Sequence, residues 1–398
     1  MSSLKLPDNL TVIVADAPPL RGIRQRVQQI SSRFAKVLGG VNGRLLYIDE
    51  PGNIVTVFIS PEKPLSNLWS WMSGPKLDPD TGIYHYIPPA GLPFGYNSTA
   101  INRWNHFWYP VGLAGRFKKS DGPVVLIVCN VLGLGWAGKF GEDVLIYDCA
   151  DEISEFKQAS MNREAVLSQE KMLINRADGL VTTSQTLYDR KSKFLKSGAE
   201  ARLIRNAAEV EHFSKALNIG VKPNDIAGLK KPIVGYFGYL ADWLDWPLIE
   251  HVVREGSGID WVFIGPCTRN LSAPEALGNF HYLGKKPYEV LPDYLAHFSC
   301  AHIPFDRTPL TIHVNPVKLY EYLAGGAPVV ATSLPELEYF RDVCSLTNDP
   351  VEYLEMIRAA VKVDSPEKRM ARSSRVKDET WDSRVDDYCR LIESLLAR

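Results

Sequence analysis

Two charged side chains, Lys318 and Glu321, stand three residues apart in "NPVKLYEYLAGGAPVV", a run that otherwise spells a buried helix and a buried strand. Asn315 followed by Pro316 predicts a helix start, with the Asn side chain accepting from first-turn N–H groups and Pro at the first helical position. Leu319 and Leu323, four apart, share the core face, whereas Lys318 and Glu321 share another. Gly325 and Gly326 predict the stop, and "APVVATS" the strand that follows. A helix N-terminus at the mouth of a parallel sheet attracts anions, and a lysine in its first turn adds a full charge where a pyrophosphate would lie. A glutamate one turn deeper can accept hydrogen bonds from a ribose diol. The competing reading is a solvated Lys–Glu pair worth only about 0.3 kcal/mol.

The elements that must position these groups alternate along the whole chain. Strand patterns at "LTVIVADA", "GRLLYIDE", "NIVTVFIS", "PVVLIVCN", "DVLIYDCA", "GLVTTS" and "ARLIRNA" are interleaved with helical ones in the first half, and "PIVGYFGYL", "IDWVFIGP", "NFHYLG", "CAHIPF" and "PVVATS" continue the series. This is the pattern of βαβ units and parallel sheets. At 398 residues the chain is long enough for two domains. The expected division is an N-terminal domain over residues 1–217, a Gly/Pro/Asn/Lys-rich linker over 218–231, and a C-terminal domain over 232–378, with a last helix, 379–398, crossing back onto the first domain. Doubly wound sheets hold ligands beyond the carboxyl ends of their strands.

A formal net charge of −1 offers no field for a polyanion such as nucleic acid. Six cysteines lie apart, without a C-x-x-C pair, and read as reduced core thiols of a cytosolic chain. The N-terminal apolar run is too short for a signal peptide or a span, so any membrane contact is expected to be peripheral.

The motifs "NPVKLYEYLAGGAPVVATSLPEL", "VGYFGYLADWLD", "FHYLGKKPYEVLPDYLAHFSCAHIPF", "RADGLVTTSQTL" and "LIRNAAEVEHF" occur in one order along most of the chain. In that order they resemble the GT-B glycosyltransferases of bacterial polysaccharide synthesis. The nearest resemblance is to teichuronic acid biosynthesis transferases, where "R-x-Q-Q" (Arg26, Gln28, Gln29) and "Y-D-C-x-D-E" (Tyr147, Asp148, Cys149, Asp151, Glu152) recur. The resemblance implies an α/β fold of two Rossmann-like, doubly wound parallel-sheet domains facing a central cleft. It also implies that Lys318 contacts a donor's diphosphate and Glu321 its ribose, that Gly238 lets backbone approach the phosphates, and that the loop from Gly284 to Tyr288 frames the base. One position departs from the family pattern: His313 stands where many retaining members carry the first of two glutamates, and from there it could reach the sugar or a phosphate.

Glycosyl transfer needs a departing diphosphate to be stabilised and, for inversion, an acceptor hydroxyl to be deprotonated. "DVLIYDCADE" places Asp148, Asp151 and Glu152 at the end of a strand, and Asp151 matches the general base of similar inverting transferases. Helix or loop capping is the alternative for these acids. Asp16 is the second choice, and Asp16, Arg26 and Asp148 are the expected acceptor-side residues. The expected activity is transfer from a UDP-sugar to a saccharide or lipid-linked saccharide for cell-surface polysaccharide, inverting, without metal or other cofactor. The alternatives are a sugar-nucleotide 2-epimerase of the same fold, or a silent donor-binding protein.

"GLGWAG" has G-x-G-x-x-G spacing but runs into another strand, against a dinucleotide site. "LDPD" reads as a turn rather than a metal-binding Asp-x-Asp. Trp104, Phe107, Trp108 and Tyr109 next to Arg116, Lys118 and Lys119 form an aromatic and basic mixture of the kind found at a bilayer surface, competing with an ordinary core helix that has a basic end.

Overall fold

The computed structural model describes residues 6–21, 25–54, 72–113, 121–156, 161–218 and 220–398. It divides into two compact units, Met1–Arg205 with Trp381–Arg398, and Asn206–Thr380.

In the first unit eight strands run β1 (Thr11–Ala17), β2 (Arg44–Asp49), β3 (Lys76–Asp78), β4 (Ile83–Tyr86), β5 (Val124–Val128), β6 (Val144–Cys149), β7 (Gly179–Thr182) and β8 (Glu200–Leu203). Their spatial order is β3-β4-β2-β1-β5-β6-β7-β8, and every neighbouring pair is parallel except β3 with β4. The central strands β1, β5 and β6 are buried along their whole length, as expected of a sheet covered on both faces. Helix α1 (Arg26–Gly39) covers one face, with Phe34 packed edge-on against Tyr388 of the C-terminal helix Trp381–Leu396. Gly179 makes room for that helix, because a Cβ there would stand 3.0 Å from Leu395. Helix α2 (Thr99–Trp108) is capped by the Ser98 hydroxyl, which accepts from Ile101 N–H.

"GLGWAG" begins inside a 3-10 turn, Val131–Gly135, before β6. Its glycines serve close packing: a Cβ on Gly133 would meet Val128 at 2.5 Å, and one on Gly135 would meet the His106 ring at 2.3 Å. "LDPD" is a hairpin corner in which Asp78 ends β3 and accepts from Asp80 N–H. The strand expected at "NIVTVFIS" lies mostly outside the described residues, as do Arg116, Lys118 and Lys119.

The second unit holds β9 (Ile233–Phe237), β10 (Asp260–Ile264), β11 (Phe280–Tyr282), β12 (Cys300–Ile303), β13 (Val329–Ala331) and β14 (Cys344–Leu346), all parallel, in the order β11-β10-β9-β12-β13-β14. Helix α3 (Val317–Ala324) follows β12 and precedes β13, and Leu319 and Leu323 fill the core as their spacing predicts.

The boundary expected after residue 217 falls instead after Arg205. The short helix Val210–Phe213 belongs to the second unit because Phe213 stacks on Phe237 of β9, at 5.8 Å and 12°. The segment expected to be a linker, 218–231, lies within that unit as well, where Ile226 is fully buried in its core. Polar composition does not mark a boundary here, since one well-placed apolar side chain is enough to anchor such a segment in a core.

Candidate active site

In the second unit the strand order reverses between β9 and β12, which is where a doubly wound sheet opens a crevice at its carboxyl end. Gly238 follows β9 with φ +147°, and Gly265 follows β10 with φ +139°. A Cβ on Gly265 would lie 1.9 Å from the Gly238 carbonyl oxygen, and one on Gly238 would lie 2.0 Å from Lys318 Cε. Backbone closes Gly265 to any side chain and the positive φ of Gly238 disfavours one there, so together they leave bare backbone beside a lysine.

That lysine is half-buried. Its ammonium lies 5.6 Å from the centre of the Tyr236 ring and 5.8 Å from that of Phe305. It has no hydrogen-bond or ion-pair partner among the described residues. Burial lowers its pKa, and Glu321 works in the opposite direction. Glu321 is 9% exposed, and its carboxyl too lacks a hydrogen bond among the described residues. Burial pushes its pKa up to about 7, with Lys318 opposing and Glu209 adding to the rise. Two ionisable groups held this way, without partners among the described residues, cost stability and point to a ligand or a reaction.

The helix start differs from the sequence expectation. Helix α3 begins at Val317, with Pro316 at the cap position and no side-chain cap. Asn315 is 3% exposed and its side chain is used elsewhere. Its oxygen accepts from Asn206 N–H at 3.0 Å, and its amide donates to the Tyr320 hydroxyl at 3.0 Å and to Glu336 at 3.4 Å. Asn206 also donates to the Asn315 carbonyl at 2.6 Å. Asn315 thus ties the start of the unit to the start of α3 and leaves the first-turn N–H groups without a side-chain acceptor.

His313 ends the 3-10 turn Thr311–His313 just before this helix and is 7% exposed. The loop ahead of it is pinned by Thr308 and Thr311, whose hydroxyls each accept from the other's backbone N–H. Gly284, φ +66°, passes its carbonyl to Gly265 N–H at 2.9 Å, which links the loop 284–288 to the glycine pair. Tyr288 at its end stacks on His212, with centroids 4.9 Å apart and planes 14° apart.

In the first unit the strand order reverses between β1 and β5. A cavity of about 230 Å³ sits at that end of the sheet, lined by Glu50, Tyr96, Cys129, Asn130, Ala150, Asp151, Ile153, Phe156 and Met161. Glu50, Cys129 and Ala150 are the first residues after β2, β5 and β6. The Asp151 carboxyl has no hydrogen-bond partner among the described residues. Burial pushes its pKa up to about 6, against the pull of Arg26 and with help from Asp148.

Arg26 and Asp148 do not line this cavity. Both guanidinium contacts to Asp148 are 3.4 Å, and Arg26 also donates to the Tyr388 hydroxyl at 3.1 Å and to the Arg205 carbonyl at 3.1 Å. They are 6% and 4% exposed. Asp16 is buried as well, in a β-bulge at the end of β1 with φ +51°. Its Oδ1 accepts from Trp136 Nε1–H at 3.1 Å, and its Oδ2 faces His106 Nε2 at 3.8 Å. Of the acids singled out in the sequence, Asp151 is the one that opens on the cavity. Glu152 is fully buried against Lys191 at 2.8 Å, an ion pair that lowers its pKa against the effect of burial and fixes the turn that carries Asp151.

Burial of Glu321 has a consequence for stability. An acid whose folded pKa is raised favours folding below its unfolded pKa and loses that contribution as pH rises through the folded value. Stability is therefore expected to fall between about pH 4.5 and 7, by up to about 3 kcal/mol from this group. Urea unfolding at pH 5 and pH 8 measures it. Glu321→Gln should remove most of this slope and be the more stable protein at pH 8.

No family model matches the chain. A search of solved structures finds sucrose-phosphate synthase (tll1590) from Thermosynechococcus elongatus at a TM-score of 0.68 and 14% identity, covering 98% of this chain and 99% of that one. It also finds α,α-trehalose 6-phosphate synthase from Burkholderia multivorans at a TM-score of 0.66 and 10% identity, covering 98% of both chains. The chain has the GT-B fold. Another GT-B structure, Anabaena Alr3699/HepE in complex with UDP, matches at a TM-score of 0.63 and 12% identity over 96% of this chain and 99% of its own. By sequence, 209 residues are 29% identical to TuaH of Bacillus subtilis (strain 168), assigned as a glycosyltransferase to teichuronic acid biosynthesis. That match spans 48% of this chain and about half, 51%, of the relative's length. The resemblance read from the motifs is borne out for the GT-B fold and for similarity to teichuronic acid transferases.

The geometry adds residues that sequence reading missed. Gly265, Tyr236 and Phe305 form the cradle around Lys318, and Glu50, Tyr96 and Asn130 line the first-unit cavity. The signal was weak but present: "YIDE" and "FIGP" place Glu50 and Gly265 directly after a strand, and "HIPF" places Phe305 two residues after one.

Proposed function

We propose that this chain is a glycosyltransferase that moves a sugar from a UDP-sugar to a saccharide or lipid-linked saccharide in surface polysaccharide assembly. The observation that carries the reading is Lys318, an ammonium without a partner among the described residues, between bare glycine backbone and an uncapped helix start. Similarity to TuaH and to HepE, whose structure contains UDP, supports the donor class.

In this scheme Lys318 and the first-turn N–H groups of α3 take up the charge that grows on the departing diphosphate, so the step runs without metal. Glu321 accepts from the ribose diol, Gly238 lets backbone approach the phosphates, and the segment from Gly284 to Tyr288 frames the base. Asn315 holds the helix start in place, and His313 faces the sugar or a phosphate. Asp151, in its ionised form, accepts the proton of the attacking acceptor hydroxyl, which implies inversion at the anomeric carbon. Arg26 and Asp148 act through their opposed effects on the Asp151 charge, and Asp16 shapes the strand end behind the cavity.

Release of UDP that depends on added acceptor tests the proposal. Conversion of the UDP-sugar without acceptor would instead mark an epimerase. Anomeric NMR of the product decides the stereochemistry, and retention would remove Asp151 as the base.

A lipid-linked acceptor at the cytoplasmic face of a membrane is the finer reading. Trp104, Phe107 and Trp108 support it: they are 54%, 59% and 46% exposed at successive turns of α2, and the sequence just beyond carries Arg116, Lys118 and Lys119. Among the described residues no helix is long and apolar enough to cross a membrane. Co-sedimentation with anionic liposomes at low salt is expected, and Trp104→Ala with Trp108→Ala should weaken it. A protein that stays in the supernatant counts against the lipid-linked acceptor.

A further inference from the structure

The first-unit cavity has a wall dominated by carboxylate oxygens. Asn130 Nδ2–H donates to the Tyr96 hydroxyl at 2.6 Å, and the Tyr96 hydroxyl donates to Glu50 Oε1 at 2.9 Å. Asn130 cannot reorient easily, because its own Oδ1 accepts from Leu132 N–H at 3.3 Å as the cap of a 3-10 turn. The relay thus spends the Tyr96 hydroxyl donor and one of the two Asn130 N–H donors inside the wall and ends on a carboxylate. Glu50 Oε2 has no partner among the described residues, and neither does the Asp151 carboxyl. What the wall chiefly offers a ligand is acceptors, Glu50 Oε2 and the two oxygens of Asp151, beside the second Asn130 N–H and the Cys129 thiol. Phe156 and Met161 supply apolar surface beside them. Among the described lining residues there is no lysine, arginine or histidine. The nearest guanidinium, Arg26, is committed to Asp148, Tyr388 and the Arg205 carbonyl. Glu50 itself is exposed.

We propose that this cavity binds the acceptor's terminal sugar, selects a neutral or amino sugar over an acidic one, and does so through Glu50, held in place by Tyr96 and Asn130. The inference rests on the glycosyltransferase reading and extends it to acceptor class. A sugar ring is a set of hydroxyl donors with one apolar face, which matches carboxylate acceptors beside Phe156 and Met161. An ammonium gains a charge-assisted bond there. A carboxylate or phosphate brought against Glu50 and Asp151 meets like charge with no cation among the described lining residues to offset it. Glu50 is a specificity residue, whereas Tyr96 and Asn130 are positioning residues that act through it.

The experiment uses the intact chain with its UDP-sugar donor and three acceptors of one ring geometry: the p-nitrophenyl β-glycosides of glucose, glucosamine and glucuronic acid. Saturation-transfer NMR reads acceptor binding in the presence of UDP, and UDP release reads turnover. The glucoside and the glucosaminide are expected to bind and to exceed the glucuronide by at least about tenfold in kcat/KM or in affinity. Glu50→Gln should shrink that ratio by about fivefold or more, and Tyr96→Phe should shrink it part of the way, since it frees the carboxylate without removing it. Titration with UDP serves as the control that each variant is folded. The proposal is overturned if the glucuronide equals or exceeds the other two, if none of the three binds while UDP does, or if Glu50→Gln folds and leaves the ratio unchanged. Loss of UDP binding by the unaltered chain would instead overturn the donor reading on which it rests.

Discussion

Asp151→Asn is expected to lower turnover by about 10²- to 10⁴-fold while leaving UDP affinity within about twofold of the parent. The size of the effect follows from the environment of the group. Its carboxyl opens on the cavity, burial raises its pKa to about 6, Arg26 pulls the value down, and Asp148 pushes it back up. A base with that pKa is ionised at neutral pH and still basic enough to accept a proton from a hydroxyl as attack begins. The parent's kcat/KM should accordingly rise with pH through a limb near 6, because the ionised form is the active one. The Asn variant should lose that limb and not merely scale it down. A residue that only capped a turn would change stability and leave the profile's shape intact, so the pH dependence separates the two roles. Glu152 provides a contrast one residue away: its carboxylate is locked by Lys191 and has no free face to offer.

Lys318→Ala should weaken UDP binding by about 30- to 3,000-fold. The range is that of removing one partner from a desolvated, hydrogen-bonded charge pair, roughly 2–5 kcal/mol, at about 1.4 kcal/mol per tenfold. The fold should not suffer. In the free protein the ammonium rests on Tyr236 and Phe305 with no acceptor among the described residues, and burial already disfavours its charged form. Its removal costs little packing and deletes a desolvation penalty, so the unliganded melting temperature should stay level or rise while the UDP-induced shift disappears. Glu321 should report the change independently. Without Lys318 opposing burial, its pKa is expected to climb above about 7.

Most of the fold was legible in the sequence, for reasons that particular segments make clear. Runs such as "VVLIV" and "LTVIVADA" are continuous and β-branched because both faces of their sheets are covered, and helices recur between them at the spacing that parallel crossovers require. Leu319 and Leu323 announced the core face of α3, and with it the face on which Lys318 and Glu321 must lie. Asn315 was harder. Its type is right for a cap, but whether an Asn side chain turns onto its own helix or onto Asn206, more than a hundred residues earlier, is decided by tertiary contact. The boundary after Arg205 was displaced for a similar reason, since the place of Phe213 depends on Phe237 and not on local composition.

The sites divide along the same line. Single residues with unusual chemistry, Lys318, Glu321 and Asp151, stood out from their neighbours in the chain. Arg26 and Asp148 stood out as well, yet the structure joins them to each other, because a charge pair can be recognised only when both partners are in view. Glu50, Tyr96 and Asn130 come from three separate crossovers and meet only at the sheet's carboxyl end. Gly265 was passed over because its reason is the Gly238 carbonyl beside it.

The central claim is that the second unit holds the diphosphate of a UDP-sugar beside Lys318. Calorimetric titration of the intact chain with UDP and with uridine tests it most directly. The account predicts one UDP site per chain, with uridine weaker by at least about 100-fold because it lacks the groups that Lys318 and the α3 N-terminus bind. Failure of UDP to bind at millimolar concentration, or uridine binding as tightly as UDP, would contradict it.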